Sequence, residues 1–98
     1  ALQEYKDQLN KGAVQAIAET SINSIGYLLL RREKVDEAIE VFLQNTADYP
    51  ESGNAWDSLA EAYMTRGDKG LAIKYYEKSL QLDPGNNNAV DQLKKLRQ

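Results

Sequence analysis

The chain contains no cysteine and no histidine. Their absence removes disulfides, thiolate nucleophiles, imidazole general bases and nearly every zinc or transition-metal site. Only two prolines, one methionine, one tryptophan and one phenylalanine occur in 98 residues. The longest unbroken run of aliphatic or aromatic residues, Tyr27-Leu28-Leu29-Leu30, falls far short of the ~20 apolar residues that a membrane span requires. Basic charge is not in excess: 12 Lys and Arg stand against 15 Asp and Glu, a net charge of −3. A chain of this balance lacks the basic face that neutralises phosphates, which argues against nucleic acid and against an anionic membrane surface as partners. No signal peptide is read, and the chain opens at Ala1 without a methionine, as expected of a processed chain or a piece of a longer one.

Motifs that carry chemistry are also missing. No serine is followed by lysine three residues later, and neither Gly-x-Gly-x-x-Gly nor a phosphate-cradling Gly-Lys-Ser/Thr loop occurs. Asp83-Pro84-Gly85-Asn86-Asn87-Asn88 has a faint likeness to a calcium loop, but Lys94 stands where its bidentate glutamate is needed. The acidic residues Glu33, Asp36, Glu37 and Glu40 cluster near a helix start, where they complement the helix dipole as a solvated face. The reading is of a non-enzyme with no metal and no cofactor.

What the chain does have is a period. Hydrophobic residues make up 42% and charged residues 28%, a balance that suits one small soluble domain. Pro50 and Pro84 lie 34 residues apart, as do Ala38 and Ala72, and Ile39 and Ile73. At the same offset Ile22 meets Trp56, Ile25 meets Leu59, Gly26 meets Ala60, Leu29 meets Tyr63 and Phe42 meets Tyr76. One further step brings Trp56 onto Val90 and Leu59 onto Leu93. Large residues fall on large and small on small, which defines a repeat at 19–52, a second at 53–86 and a final single helix at 87–98.

Within each unit the apolar spacing is helical. Ile22, Ile25, Gly26 and Leu29 share one face, and Trp56, Leu59, Ala60 and Tyr63 repeat it. A break follows at Arg32-Glu33-Lys34 and at Arg66-Gly67-Asp68, where Gly67 supplies a positive φ and Asp68 is placed to cap the next helix. The second helices carry Val35, Ala38, Ile39, Phe42 and Leu43, then Leu71, Ala72, Ile73, Tyr76 and Leu80, and the prolines end them. Predicted helices therefore run over about 20–32, 35–48, 54–66, 69–82 and 87–97. Trp56 and Tyr76 are expected in the core, and Tyr75 lies off its stripe. Residues 1–18, with Leu2, Tyr5 and Leu9 in a stripe, read as a leading helix that is a poor match to the repeat.

Unit two, Trp56-x-x-Leu59-Ala60-x-x-Tyr63-x-x-x-Gly67 followed by Ala72, Tyr76 and Leu80-x-Leu82-x-Pro84, resembles the tetratricopeptide repeat. Unit one departs from it with Ile22 for Trp, Leu29 for Tyr and Glu33 for Gly, while keeping residue sizes. The resemblance implies an all-α, right-handed superhelical stack of antiparallel helix pairs, closed by the last helix, with the first helices lining a concave groove that binds protein or peptide. On that geometry the groove carries Thr20, Asn23, Tyr27, Leu30 and Arg31 from the first helix. The third supplies Asn54, Asp57, Glu61, Met64 and Thr65, and the last supplies Asn88, Asp91 and Lys95. Asn23, Tyr27, Arg31, Asn54, Asp57, Glu61, Met64, Asp91 and Lys95 are the candidate partner-binding residues. Asn23 and Asp57, one repeat apart, could instead hydrogen-bond each other, and Tyr27 could plug the groove. Were the groove structural, the surface around Glu40, Gln44, Lys74 and Lys78 would take its place. Some members of the family hold an acidic chaperone terminus with Lys, Asn and Arg. Here Asn23, Tyr27, Ser58, Asn88 and Gln92 occupy the matching places, so that ligand is not expected. A narrower similarity, through Asn23–Leu29, Asn45-x-x-x-Tyr49-Pro50 and Asp57–Tyr63, is to repeat tails that follow the catalytic domain of some bacterial serine hydrolases. It implies a structural or regulatory tail in contact with its own enzyme.

Overall fold

The computed structural model describes residues 18–98, and the leading helix expected over 1–18 lies outside them apart from its last residue. The described residues form five helices and no strand: α1 (18–31), α2 (Val35–Asp48), α3 (Gly53–Arg66), α4 (Lys69–Leu82) and α5 (Asn87–Leu96). The ends of α2 to α5 and the C-terminal end of α1 agree with the sequence pattern to within two residues. None is long and apolar enough to cross a membrane.

Each boundary has a local cause. Tyr49 and Asp83 precede the two prolines, and both have left the helical region, with φ of −130° and −137°. The ring of a following proline crowds an α-conformation at the residue before it. Ser52 caps α3 by accepting from the Ala55 amide at 3.2 Å, and Asn86 caps α5 by accepting from the Ala89 amide at 3.2 Å. These caps stand one repeat apart, a periodic signal that the apolar pattern does not show. The expected cap at Asp68 is not made: its side chain bonds no amide of α4. Its carboxylate is drawn instead to the Arg66 guanidinium, at 2.6 and 2.8 Å.

The turns inside the two units are built alike. The Gly67 amide donates to the Met64 carbonyl and the Asp68 amide to the Tyr63 carbonyl. One repeat earlier, Glu33 donates to Leu30 and Lys34 to Leu29. This closure requires a left-handed residue, which is Gly67 at φ 95° in unit two and Glu33 at φ 63° in unit one.

Packing follows from the repeat. α3 lies against α2 on one side and α4 on the other, and α4 also carries α5. The core runs through Ala38, Phe42, Leu59, Ala60, Ala72, Tyr76 and Ala89, each with no exposed surface. Trp56 is half-buried at the edge of this core and does not sit inside it. Ile25, expected on the core face of α1, is 52% exposed, and Leu28 is 41% exposed. Its counterpart Leu59 is buried because α3 is covered on both sides, whereas no described helix covers the outer side of α1. Leu43 and Leu71 also stand outward.

The closest approach in unit one is between α1 and α2. A Cβ on Gly26 would lie 2.3 Å from Cε1 of the fully buried Phe42 ring. No real contact is that short, so Gly26→Ala should force the ring or the helix aside and cost about 1–3 kcal/mol, read as a lower urea midpoint. An unchanged midpoint would place the α1–α2 crossing elsewhere. Glu33 offers the reverse test. A side chain in the left-handed region is disfavoured by ~1–2 kcal/mol, part of which glycine gives back as lost chain entropy. Glu33→Gly should therefore raise stability by about 0.5–1 kcal/mol in the same assay, and a fall would mean that the turn does not need its positive φ.

Candidate binding groove

The first helices of the units, α1, α3 and α5, meet side by side through polar side chains. The Tyr27 hydroxyl donates to Ser58 Oγ at 3.1 Å, and Ser58 Oγ donates to the Asn54 carbonyl at 3.1 Å. The Tyr27 ring meets Phe42 edge-on, with centroids 5.3 Å apart and planes at 67°. Burial pushes the Tyr27 phenol well above its ordinary pKa; the Ser58 hydroxyl opposes this, and the Glu61 and Asp57 carboxylates add to it. Tyr76 is raised in the same direction by burial and by the negative charge of Asp57 and Glu61. Tyr27, Ser58, Asp57 and Glu61 thus form one neutral-phenol and carboxylate cluster across the α1–α3 seam.

Asp57 is committed in the opposite direction from the one expected. Its carboxylate accepts from Asn86 Nδ2 at 2.9 Å and from Asn88 Nδ2 at 3.1 Å. Asn86 Nδ2 also donates to Ser79 Oγ at 2.9 Å, and Ser79 Oγ donates to the Gly53 carbonyl at 2.7 Å. This chain of bonds ties α3, α4 and the cap of α5 into one junction. No bond joins Asn23 to Asp57. Asn23, the counterpart of Asp57, has a buried Oδ1 with no partner, and Asn45, the counterpart of Ser79, has both amide atoms buried without partners. Ser52, the counterpart of Asn86, turns its hydroxyl to Glu19.

The nine candidate residues therefore separate by environment. Tyr27, Asp57 and Glu61 are brought together and partly buried, and Met64 packs half-buried against the core. Arg31, Asn54, Asp91 and Lys95 are exposed on the rims of the same helices. Asn23 is half-buried below them. Asn86, which organises the junction, was absent from the candidates; its signal was its position one repeat after Ser52.

A second surface, between α2 and α4 with α3 as its floor, is an open groove of about 510 Å³ lined in part by Leu43, Trp56, Lys74, Tyr75 and Lys78. Trp56 and Tyr75 stack with centroids 5.6 Å apart, and Tyr75 and Tyr63 stack at 5.5 Å. Tyr75 is off the core stripe, as expected, and serves as the middle ring of a column. Among the described residues, no group of three or more carboxylates is placed to hold a metal ion.

The two junctions make opposite predictions for equivalent residues. Asp57→Ala leaves two amide donors without their acceptor and should cost about 1–3 kcal/mol by chemical denaturation. Asn23→Ala removes a buried amide oxygen that already lacks a partner, so its cost should be well under half of that. Equal losses would mean that the first junction is bonded like the second.

A family model for the tetratricopeptide repeat matches residues 23–87. The tetratricopeptide repeat domain-containing protein PYG7, a chloroplastic protein of Arabidopsis thaliana, is 31% identical over 67 residues, which cover 68% of this chain and 22% of that protein. The RxLR effector protein SFI4 of Phytophthora infestans is 36% identical over 64 residues, covering 57% and 19%. The chain thus spans about a fifth of the length of these curated relatives. The crystal structure of the Sgt2 TPR domain from Aspergillus fumigatus superposes with a TM-score of 0.76 at 22% identity, over 82% of this chain and 53% of that one. With the 34-residue period, the doubled turn and the family match agreeing over most of the described residues, the chain belongs to the tetratricopeptide repeat family.

Proposed function

We propose that the chain is a non-catalytic protein-interaction module whose face shared by α1, α3 and α5 receives an extended peptide segment. The observation that carries this reading is the Tyr27–Ser58–Glu61 cluster. It is a pre-ordered, partly apolar floor in which the Tyr27–Ser58 hydrogen bond joins α1 to α3 beside the Glu61 carboxylate, rimmed by exposed polar side chains. Among the candidates, Asp57, Glu61 and Asp91 oppose Arg31 and Lys95, so the groove is mildly acidic. Complementary potential selects a neutral or basic segment and rejects an acidic one, setting specificity more than affinity. Exposed Asn54 is suited to hold the peptide backbone, since its amide both donates and accepts. The alternative of a hydrolase tail folded against its own enzyme has no support from the matched family or the relatives named above, so the interaction-module reading is the one adopted.

Two repeats make a short groove, so affinity for a free peptide should be weak, with Kd on the order of 10–1000 μM, and tethering would raise the effective concentration. Titration of labelled protein with a lysine-rich peptide should shift amide resonances of α1, α3 and α5. Glu61→Gln with Asp91→Asn should weaken that binding several-fold without altering the helical signal. Because Asp57 also holds the α3–α5 junction, it is not a clean binding variant. Micromolar binding of an acidic, chaperone-like peptide to this face, or indifference to the double substitution, would overturn the assignment.

A further inference from the structure

The groove between α2 and α4 lies on the face opposite the first helices, and nothing in the proposed function uses it. Its floor is made of two stacked rings from two helices, Trp56 of α3 and Tyr75 of α4, and behind them the buried Tyr63 ring of α3 continues the column on the far side of Tyr75, with both interplanar angles at 24°. Trp56 is pinned by its indole, which donates to the Pro50 carbonyl at 2.9 Å. The aromatic surface is therefore pre-ordered. It is also incompletely covered: Trp56 and Tyr75 are only half-buried, and Leu43, on the α2 wall, is 40% exposed.

Three cations decorate the column, and they differ in how their charge is met. Arg66 lies 5.3 Å over Tyr63, and its guanidinium is neutralised by Asp68 and Asp36, at 2.6 and 3.1 Å. Lys74 lies 5.6 Å over Tyr75 and Lys78 lies 5.8 Å over Trp56. Neither lysine is ion-paired with a carboxylate among the described residues. Glu77 lines the same groove but is engaged by Arg97, the residue that follows α5. The result is a cleft with an aromatic floor and polar walls, whose own acid is already paired and whose two lysines, among the described residues, lie over ring faces without a carboxylate partner. A lysine over an exposed ring gains roughly 0.5–1 kcal/mol. That attraction is weak enough to yield to a carboxylate, which also releases the ring face for an apolar contact. The cleft volume of about 510 Å³ lies within the range of ligand pockets and admits one large side chain.

We propose that this outer groove is a second docking site, taken by an acidic protein segment that places one large apolar side chain on the Trp56–Tyr75 floor and carboxylates against Lys74 and Lys78. The charge preference is opposite to that of the inner face. The two surfaces therefore discriminate partners by sign, and one module can hold two different segments at once.

The chain's only tryptophan forms part of the floor, so its fluorescence is a direct readout. The probes are three short peptides: glutamate-rich with a central leucine, the same with leucine replaced by serine, and lysine-rich with a central leucine. The first should shift Trp56 emission and move amide resonances of α2 and α4, with affinity that falls as salt is raised. The serine peptide should bind at least ten-fold more weakly, and the lysine-rich peptide should leave Trp56 unchanged. Lys74→Gln with Lys78→Gln, on the surface of α4, should weaken the first peptide at least ten-fold while melting and circular dichroism stay as they were. The proposal is overturned by no emission change with the first peptide up to millimolar concentration, by equal binding to the double variant, or by equal binding of the lysine-rich peptide. An emission shift on raising protein concentration alone would overturn it as well, in favour of a second copy of the chain. Failure of lysine-rich peptides on the inner face would leave this result untouched, because the resonances that report each site lie on different helices.

Discussion

Everything in this fold depends on how near the two helices of a unit can come. In unit one the distance is set by Gly26, where even a methyl group would enter the Phe42 ring. In unit two the equivalent positions are Ala60 and Tyr76, both without exposed surface. A small residue on the first helix facing an aromatic on the second lets the backbones approach and still fills the gap between them. Dense packing of this kind supplies most of what holds a short helix, since an isolated helix of 14 residues is marginal in water. The 34-residue spacing then places the next pair in the same relation, and each unit buries the face that its neighbour leaves open.

Two kinds of surface follow from that arrangement. The first helices face one another across short polar bridges, Tyr27 to Ser58 and Asp57 to Asn86 and Asn88, which fix the inner face as a firm wall. α3 packs between the second helices, so the groove between α2 and α4 is floored by the rings of Trp56 and Tyr75. Polar satisfaction is uneven along the stack. At the second junction Asn86, Asn88 and Ser79 all find acceptors and the Tyr76 hydroxyl is the buried polar atom left without a partner, whereas at the first Asn23 and Asn45 carry buried amide atoms without partners. Buried polar atoms of that sort cost stability wherever no bond offsets their desolvation. The first unit therefore rests more on its apolar contacts, and it also holds the strained turn at Glu33.

The sequence by itself determined the helices, their pairing and the family. Helical period, proline stops and the 34-residue register are local or additive signals, carried by residue size and backbone preference at particular positions. Gly67, Pro50 and Pro84 could all be read that way, whereas the meeting of Gly26 with the Phe42 ring is set by how α1 and α2 cross. Tertiary structure alone decided which polar groups meet. Asp57 could have turned to Asn23 behind it or to Asn86 and Asn88 ahead, and side-chain reach along the stack chose the latter. Likewise Trp56 matched a core position in the pattern. Yet it came to rest at the rim, stacked on a tyrosine from the next helix, because ring stacking depends on the angle and depth at which two helices cross, and no spacing within one helix encodes that.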